Sequence, residues 1–415
     1  MKIKLSFIAT VLYFGFFQTS AFPQELSLDY FIKQGIAHSP VLKDLNNQVN
    51  TNSVDSLLIK AGKKPQVSFN SGVYYAPVIN GIGYSEPLTN ISSISSVVYV
   101  SQRILNQKSV ESQYSKLAIQ NRVLKLSSKI TENDLKKAIT LQYLTTCSVS
   151  NDLTFNKDLL TSSKEEELIL KKLVENGLYK QVDYYSFMVE LQAQQLLIND
   201  LQIQYQKELS ALYAICGLSD TTVGQVVLPE LQLANTISEA NSPYFTRFVV
   251  DSLRIQNEKL IIDRNYKPSV NWFSDAGLLN NMPRDMYKNF GFSFGLSLSV
   301  PIYDGNQRKL NYEKLKIAEN TRTNYADYFK QQYNQQLQQL YTELAMTKAS
   351  LPQANKQLEF AELVIQQDRK LLNNGSVSIT DYVTALKNYI AVKRNVNQYQ
   401  VKILQITTEI NYWNQ

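Results

Sequence analysis

The chain has 415 residues, a formal net charge of +6 and a single histidine, His38. One histidine excludes His-rich metal sites and removes the commonest general base. There is also no Gly-rich phosphate loop, no HExxH and no Gly-x-Ser-x-Gly elbow, so nothing in the chain supports an enzyme or a resident cofactor.

Lys2 and Lys4 precede an apolar run from Leu5 to Phe17, and Thr19-Ser20-Ala21 supplies small residues for cleavage. Residues 1–21 therefore read as a secretory signal peptide. No Cys follows that run, so a lipid anchor on a new N-terminal Cys is not expected. Loss of the two lysines takes the formal charge from +6 to +4. That is too mild for a nucleic-acid partner, and no basic block interleaves with aromatics. Cys147 and Cys216 are the only cysteines; in an exported chain they could pair, or stand as two thiols on helices. His38, beside Ser39-Pro40, reads as a surface residue at a helix kink.

The mature chain repeats itself. Asn176-Gly177 and Asp183-Tyr184 recur, 198 residues on, as Asn374-Gly375 and Asp381-Tyr382. Tyr114-x-Lys116-Leu117-x-Ile119 recurs at the same offset as Tyr312-x-Lys314-Leu315-x-Ile317. Ser39-Pro40 and Pro65 match Ser242-Pro243 and Pro268 at an offset of 203. Three landmarks in one order mark a tandem duplication. The first repeat covers 22–220, a linker 221–240 and the second repeat 241–415.

Each repeat predicts a helix, two strands, a long helix, a tight turn and a final helix: an α+β class, mainly α. In the first, strands are expected over about 66–78 and 93–105. Val67, Phe69, Ser71, Val73 and Tyr75 alternate with Ser68, Asn70, Gly72 and Tyr74, and Ile94, Val98 and Val100 line the return strand. In the second, strands are expected over about 269–279 and 289–301. There Phe290, Phe292, Phe294, Leu296, Leu298 and Val300 alternate with Gly291, Ser293, Gly295, Ser297 and Ser299. Period 2 over eleven residues predicts a strand with one lipid-facing side and one thin, wettable side. Soluble strands run five or six residues, whereas a tilted membrane crossing takes about nine to eleven.

Between Asp304-Gly305 and Asn374-Gly375 lie some 68 residues with one strong breaker, Pro352, which should kink a helix about 100 Å long. The patch Gln331–Gln339 reads as a solvated helix face. The turns at 176–181 and 373–379 should close on glycine, with Asp183 and Asp381 at the positive start of the next helix. The hairpins and the turns should then project in opposite directions, about 100 Å apart. From Tyr382, the series Tyr382, Tyr389, Val396, Ile403, Ile410 and Ala385, Val392, Tyr399, Ile406, Trp413 form a heptad seam. In the first repeat Tyr184, Leu191, Ile198, Tyr205 and Leu212 match it. Gln194 and Glu208 interrupt Phe187, Leu201 and Ile215, predicting a narrower or wet seam.

Four strands of membrane length cannot close a barrel, and an open edge in lipid costs several kcal/mol per unpaired group. Copies must associate, and three would give twelve strands and a lumen. With the duplication, its order and Val300-Pro301-Ile302-Tyr303-Asp304-Gly305, the chain resembles the TolC family of outer membrane efflux proteins. The resemblance implies a homotrimer, a twelve-stranded barrel in the outer membrane on a long α-helical coiled-coil barrel in the periplasm. It implies an exit duct of a tripartite efflux or type I secretion system, docked to a periplasmic adaptor and an inner-membrane transporter. It places adaptor docking at Gly177, Leu178, Gly375 and Ser376, and a periplasmic gate at Asp381 and Asp183. Thr384 and Val377 stand where that family's type protein has an acid and a base, so its closing network is only partly matched. A periplasmic coiled-coil adaptor or scaffold is the alternative, but it should carry short soluble strands. The cargo is not written in the chain.

Overall fold

Serine followed by proline starts a helix in each repeat, because the proline carries no N–H to satisfy; the serine side chain caps at Ser39 and makes no cap bond at Ser242. Ser39 accepts from the Leu42 amide at 3.4 Å. A computed structural model describes residues 26–83, 91–104, 107–219, 226–235, 239–280 and 286–414; the expected signal peptide lies outside them. The helices are α1 (Leu28–His38), α2 (Pro40–Ala61), α3 (Gln107–Glu175), α4 (Gln181–Ile215), α5 (Pro243–Asn265), α6 (Gln307–Asn373) and α7 (Ile379–Trp413). The strands are β1 (Gln66–Ala76), β2 (Ile91–Ile104), β3 (Ser269–Asn280) and β4 (Phe290–Ser299). His38 is the exposed last residue of α1, at the break before α2.

The repeat survives in the dimensions. Helices α3 and α6 have 69 and 67 residues, and α4 and α7 have 35 each. Pro352 does not interrupt α6. The Gln331–Gln339 patch is exposed around buried Tyr333. Strand β1 stops at Ala76, short of the expected 78, because Asn80 and Gly81 take φ of 52° and 80° and turn the chain between Ile79 and Ile82. Strand β2 begins two residues earlier than expected, and Leu105 lies outside the described residues. Strand β4 ends at Ser299, so Val300 and Pro301 lie beyond it; Pro301 has no N–H to extend the ladder.

The two hairpins join into one antiparallel sheet of order β1-β2-β3-β4. The β2–β3 pairing, with Tyr99 opposite Asp275, ties the first repeat to the second. Within this chain β1 and β4 each keep an unpaired edge.

The chain divides into two compact units, each drawing on both repeats. The first comprises Met1–Gln34, Gln142–Glu230 and Leu358–Asn397, and so contains both Asn-Gly turns. Tyr382, Phe187, Leu170, Leu212, Leu372 and Ile379 are among its fully buried side chains. The leading series of the first repeat is buried from Leu191 to Leu212, as a coiled-coil seam requires. Of the narrower or partly wet seam expected at Gln194, burial departs from the wet reading: the residue is 4 % exposed, and its amide finds no partner among the described residues. Glu208 is half-buried and accepts from Gln142 at 2.8 Å.

The second unit comprises Gly35–Leu141, Leu231–Gln357 and Gln398–Gln415 and contains the sheet. Leu340, Leu344, Ile406 and Ile410 form a core cluster against Leu337, Ile403 and Trp413. Both cysteines are buried free thiols in the first unit; burial raises Cys147 to about 12 and Cys216 to about 11.

Candidate functional site: two turns and a two-faced sheet

Helices α3 and α6 end in the same way. Gly177 and Gly375 take φ of 76° and 68°, a region where a Cβ is strained. The Leu178 amide reaches back to the Leu173 carbonyl at 2.9 Å, and the Ser376 amide to Leu371 at 2.9 Å. These six-residue closures satisfy carbonyls that each helix end would otherwise leave open.

The next helices start on carboxylates. The Asp183 carboxylate accepts from the Lys180 amide at 3.0 Å. Asp381 accepts from the Ser378 hydroxyl at 2.7 Å while its own amide donates to that oxygen at 3.1 Å. Each supplies one half of a capping box, the carboxylate on the N-cap amide at Asp183 and the serine oxygen on the Asp381 amide at Ser378, and both place negative charge at a helix N-terminus. Within one chain, then, Asp183 and Asp381 serve their own helices, each through Oδ2.

Sequence spacing treats the turns as separate; the fold brings them together. The Tyr179 hydroxyl donates to the Val377 carbonyl at 2.7 Å. A Cβ added at Gly375 would lie 3.6 Å from the Leu178 Cβ, whereas one at Gly177 would meet nothing within 4 Å. Leu178 remains 58 % exposed and Ser376 is exposed. Gly177, Leu178, Gly375 and Ser376 thus form one patch.

Behind the turns lies a cluster that motif spacing did not reveal. Glu166 on α3 is 3 % exposed and pairs with Arg369 on α6, and the Tyr382 hydroxyl of α7 donates to it. Burial pushes the Glu166 carboxyl up, against the lowering effect of Tyr382 and Arg369. Burial likewise raises Asp368, helped by the negative charge of Asp381. The only sequence signal for Glu166 is an acidic triplet, Glu165–Glu167, on a helix that must bury one face.

The sheet has two unlike faces. Phe290, Phe292, Phe294, Leu296 and Leu298 are 68–83 % exposed along β4, and Val300 just beyond it is 50 % exposed. Register carries that face across the sheet: Phe292 opposes Ala276, Ala276 opposes Val98, and Val98 opposes Phe69. The opposite face holds Ser68, Tyr99, Asp275 and Ser293 as successive register partners. Asp275 accepts from the Ser293 hydroxyl at 2.6 Å. This face is less thin than the alternation predicts. The Phe273 ring lies over Gly295, where a Cβ would fall 2.5–3.1 Å from its atoms, and it stacks with Tyr99 at 6.1 Å and 22°. Among the described residues, no helix is long and apolar enough to cross a membrane.

Residues 274–411 match the sequence profile of the family described as outer membrane efflux protein. No curated protein matches the chain in sequence. Among solved structures, the outer-membrane channel OprN superposes with a TM-score of 0.74 at 11% identity, covering 94% of this chain and 90% of its own. The CmeC outer membrane channel of Campylobacter jejuni gives 0.74 at 12%, covering 93% and 85%. The outer membrane protein VceC of Vibrio cholerae gives 0.73 at 12%, covering 93% and 96%.

Proposed function

We propose that three copies of this chain form the outer membrane exit duct of a tripartite export system, a reading supported by the outer membrane efflux protein profile matched over residues 274–411 and by the fold shared with outer membrane channels. The observation that carries this reading is the sheet. It has one mainly apolar face, broken by Ser71, Ser96, Gln102 and Ser274, on strands of 10–14 residues, and it leaves β1 and β4 with open edges. In lipid, each unpaired backbone group costs several kcal/mol, so the edge of β1 takes the edge of β4 from the next copy. A repeat-one edge meeting a repeat-two edge is a head-to-tail contact that closes as a ring. Twelve strands leave a lumen, where eight would fill with side chains.

The joined turns are the docking patch for a periplasmic adaptor, which hands on what an inner-membrane transporter delivers. Gly177, Leu178, Gly375 and Ser376 offer an exposed leucine and bare backbone, a surface that a small apolar tip can approach closely. Asp183 and Asp381 act as gate residues through Oδ1, which their caps leave free to face neighbouring copies.

Native mass measurement of the detergent-solubilised chain tests the assembly: a trimer is expected, and a stable monomer or dimer overturns the barrel. Export in cells tests the docking patch. Gly177→Trp should leave the trimer intact and abolish export, since no atom lies within 4 Å of its Cβ and the strain of φ 76° falls on the turn itself. Gly375→Trp should do the same and also displace Leu178. Normal export by both variants would remove the docking site from this patch. Unchanged single-channel conductance in Asp381→Ala would reduce Asp381 to its helix cap.

A further inference from the structure

The sheet face opposite the apolar one carries two opposite charges, Asp275 and Arg103, and a stacked pair of rings, Tyr99 and Phe273, that an inert duct does not require. Asp275 and Tyr99 are register partners, and Phe273 stands one row away on the same face, opposite Ser101 on one side and Gly295 on the other. Phe273 lies flat because residue 295 has no side chain: any Cβ there would meet the ring at 2.5–3.1 Å. Tyr99 is held parallel to it, 6.1 Å away. Flat rings turn their faces, the negative side of the aromatic quadrupole, away from the sheet. The Asp275 carboxylate has one hydrogen bond, from Ser293 at 2.6 Å, and no ion pair among the described residues. Carboxylate and ring faces therefore point into the same space.

We propose that Tyr99, Phe273 and Asp275 form a cation-selecting ring in the barrel lumen, favouring organic cations over small inorganic ones. This rests on the trimeric barrel, because only closure sets three copies of the group around one axis. Rings of carboxylates raise the local concentration of cations in a pore. Ring faces add attraction for poorly hydrated ammonium groups, to which K⁺ with its tighter water shell responds less. Arg103 occupies the same face two rows away, opposite Asn271, and acts against Asp275.

The purified full chain in planar bilayers, under a KCl gradient, tests the charge. Asp275→Asn keeps the shape and an oxygen for Ser293, and should lower the K⁺ to Cl⁻ permeability ratio about twofold or more. Arg103→Gln should shift the ratio the other way. Tetramethylammonium chloride tests the rings: Phe273→Leu with Tyr99→Leu should lower the tetramethylammonium to K⁺ ratio and leave the K⁺ to Cl⁻ ratio in place. Gly295→Ala should tip the Phe273 ring into the lumen and reduce conductance without changing ion preference. A conducting trimer whose reversal potential ignores Asp275→Asn overturns the ring while leaving the duct standing. Equal tetramethylammonium ratios in wild type and the double leucine variant remove the rings from the proposal. A wild-type chain that forms no conducting pore overturns the barrel itself.

Discussion

Tyr179 in the first turn donates its hydroxyl to the carbonyl of Val377 in the second, and the two positions are 198 residues apart, the period of the duplication. Equivalent positions of the two repeats therefore touch, and only one of them can donate. The duplication has diverged here into a donor half and an acceptor half. Tyr179→Phe removes the hydroxyl and keeps the ring. It should cost about 0.5–1.5 kcal/mol, the usual net worth of one hydrogen bond. Amide exchange should accelerate over 373–379 and stay unchanged in the sheet; unaltered exchange in that turn would show that the clasp does not form in the assembled protein.

Asn397 locks helix register in the same unit. Its amide nitrogen donates to the Ser148 carbonyl at 2.9 Å and to the Asp152 carboxylate at 2.7 Å, from a side chain only 7 % exposed. A buried polar pair of this kind specifies which turn of α7 meets which turn of α3. Asn397→Leu leaves the Asp152 carboxylate buried with less compensation, and losing a buried partner costs about 1–3 kcal/mol. The thermal midpoint of the purified protein should fall, and Asn397→Asp should be worse still, because it sets a second carboxylate against Asp152. A midpoint unchanged in Asn397→Leu would mean that the apolar seam alone holds the register.

Acid should tighten the first unit. The carboxyls of Asp152, Glu166 and Asp368 are all raised, in each case chiefly by burial. A raised carboxyl binds its proton more readily folded than unfolded. Stability is therefore highest below the ordinary carboxylate range and is lost as pH rises through the raised values. Amide exchange over 160–190, corrected for its intrinsic rate, should be slower near the ordinary carboxylate range, about pH 4, than at about pH 7.5. In Glu166→Gln the difference should shrink. The opposite slope, with protection growing as pH rises, would mean that Arg369 outweighs burial at Glu166.

A lysine should read out the two faces of β4. Phe294 is 83 % exposed on the apolar face, and Ser293 on the other holds Asp275. In the proposed barrel, Phe294→Lys should cost about 2–4 kcal/mol near the bilayer midplane and reduce the yield of assembled protein in outer membrane fractions. Ser293→Lys should assemble normally and alter conductance. Equal assembly defects at 293 and 294 would contradict the assignment of faces.

Sequence alone determined what is periodic and local. Alternation in Phe290–Val300 dictates a two-faced strand because successive side chains must point to opposite sides. Asn-Gly dictates where α3 and α6 stop, because glycine alone enters the left-handed region freely. The duplication carries the element order, and heptad spacing marks the seams. Tertiary structure decided whatever depends on which distant residues meet. Tyr179 reaching Val377, Glu166 between Arg369 and Tyr382, and Phe273 lying over Gly295 all join segments that share no local pattern. Gln194 shows the limit from the other side: its polarity predicted a narrower or partly wet seam, yet the fold buries it to 4 % exposure. Local preference is set by a residue's own backbone and nearest neighbours. Long-range contact is set by register between elements, and that is fixed only when every face of the fold is packed at once.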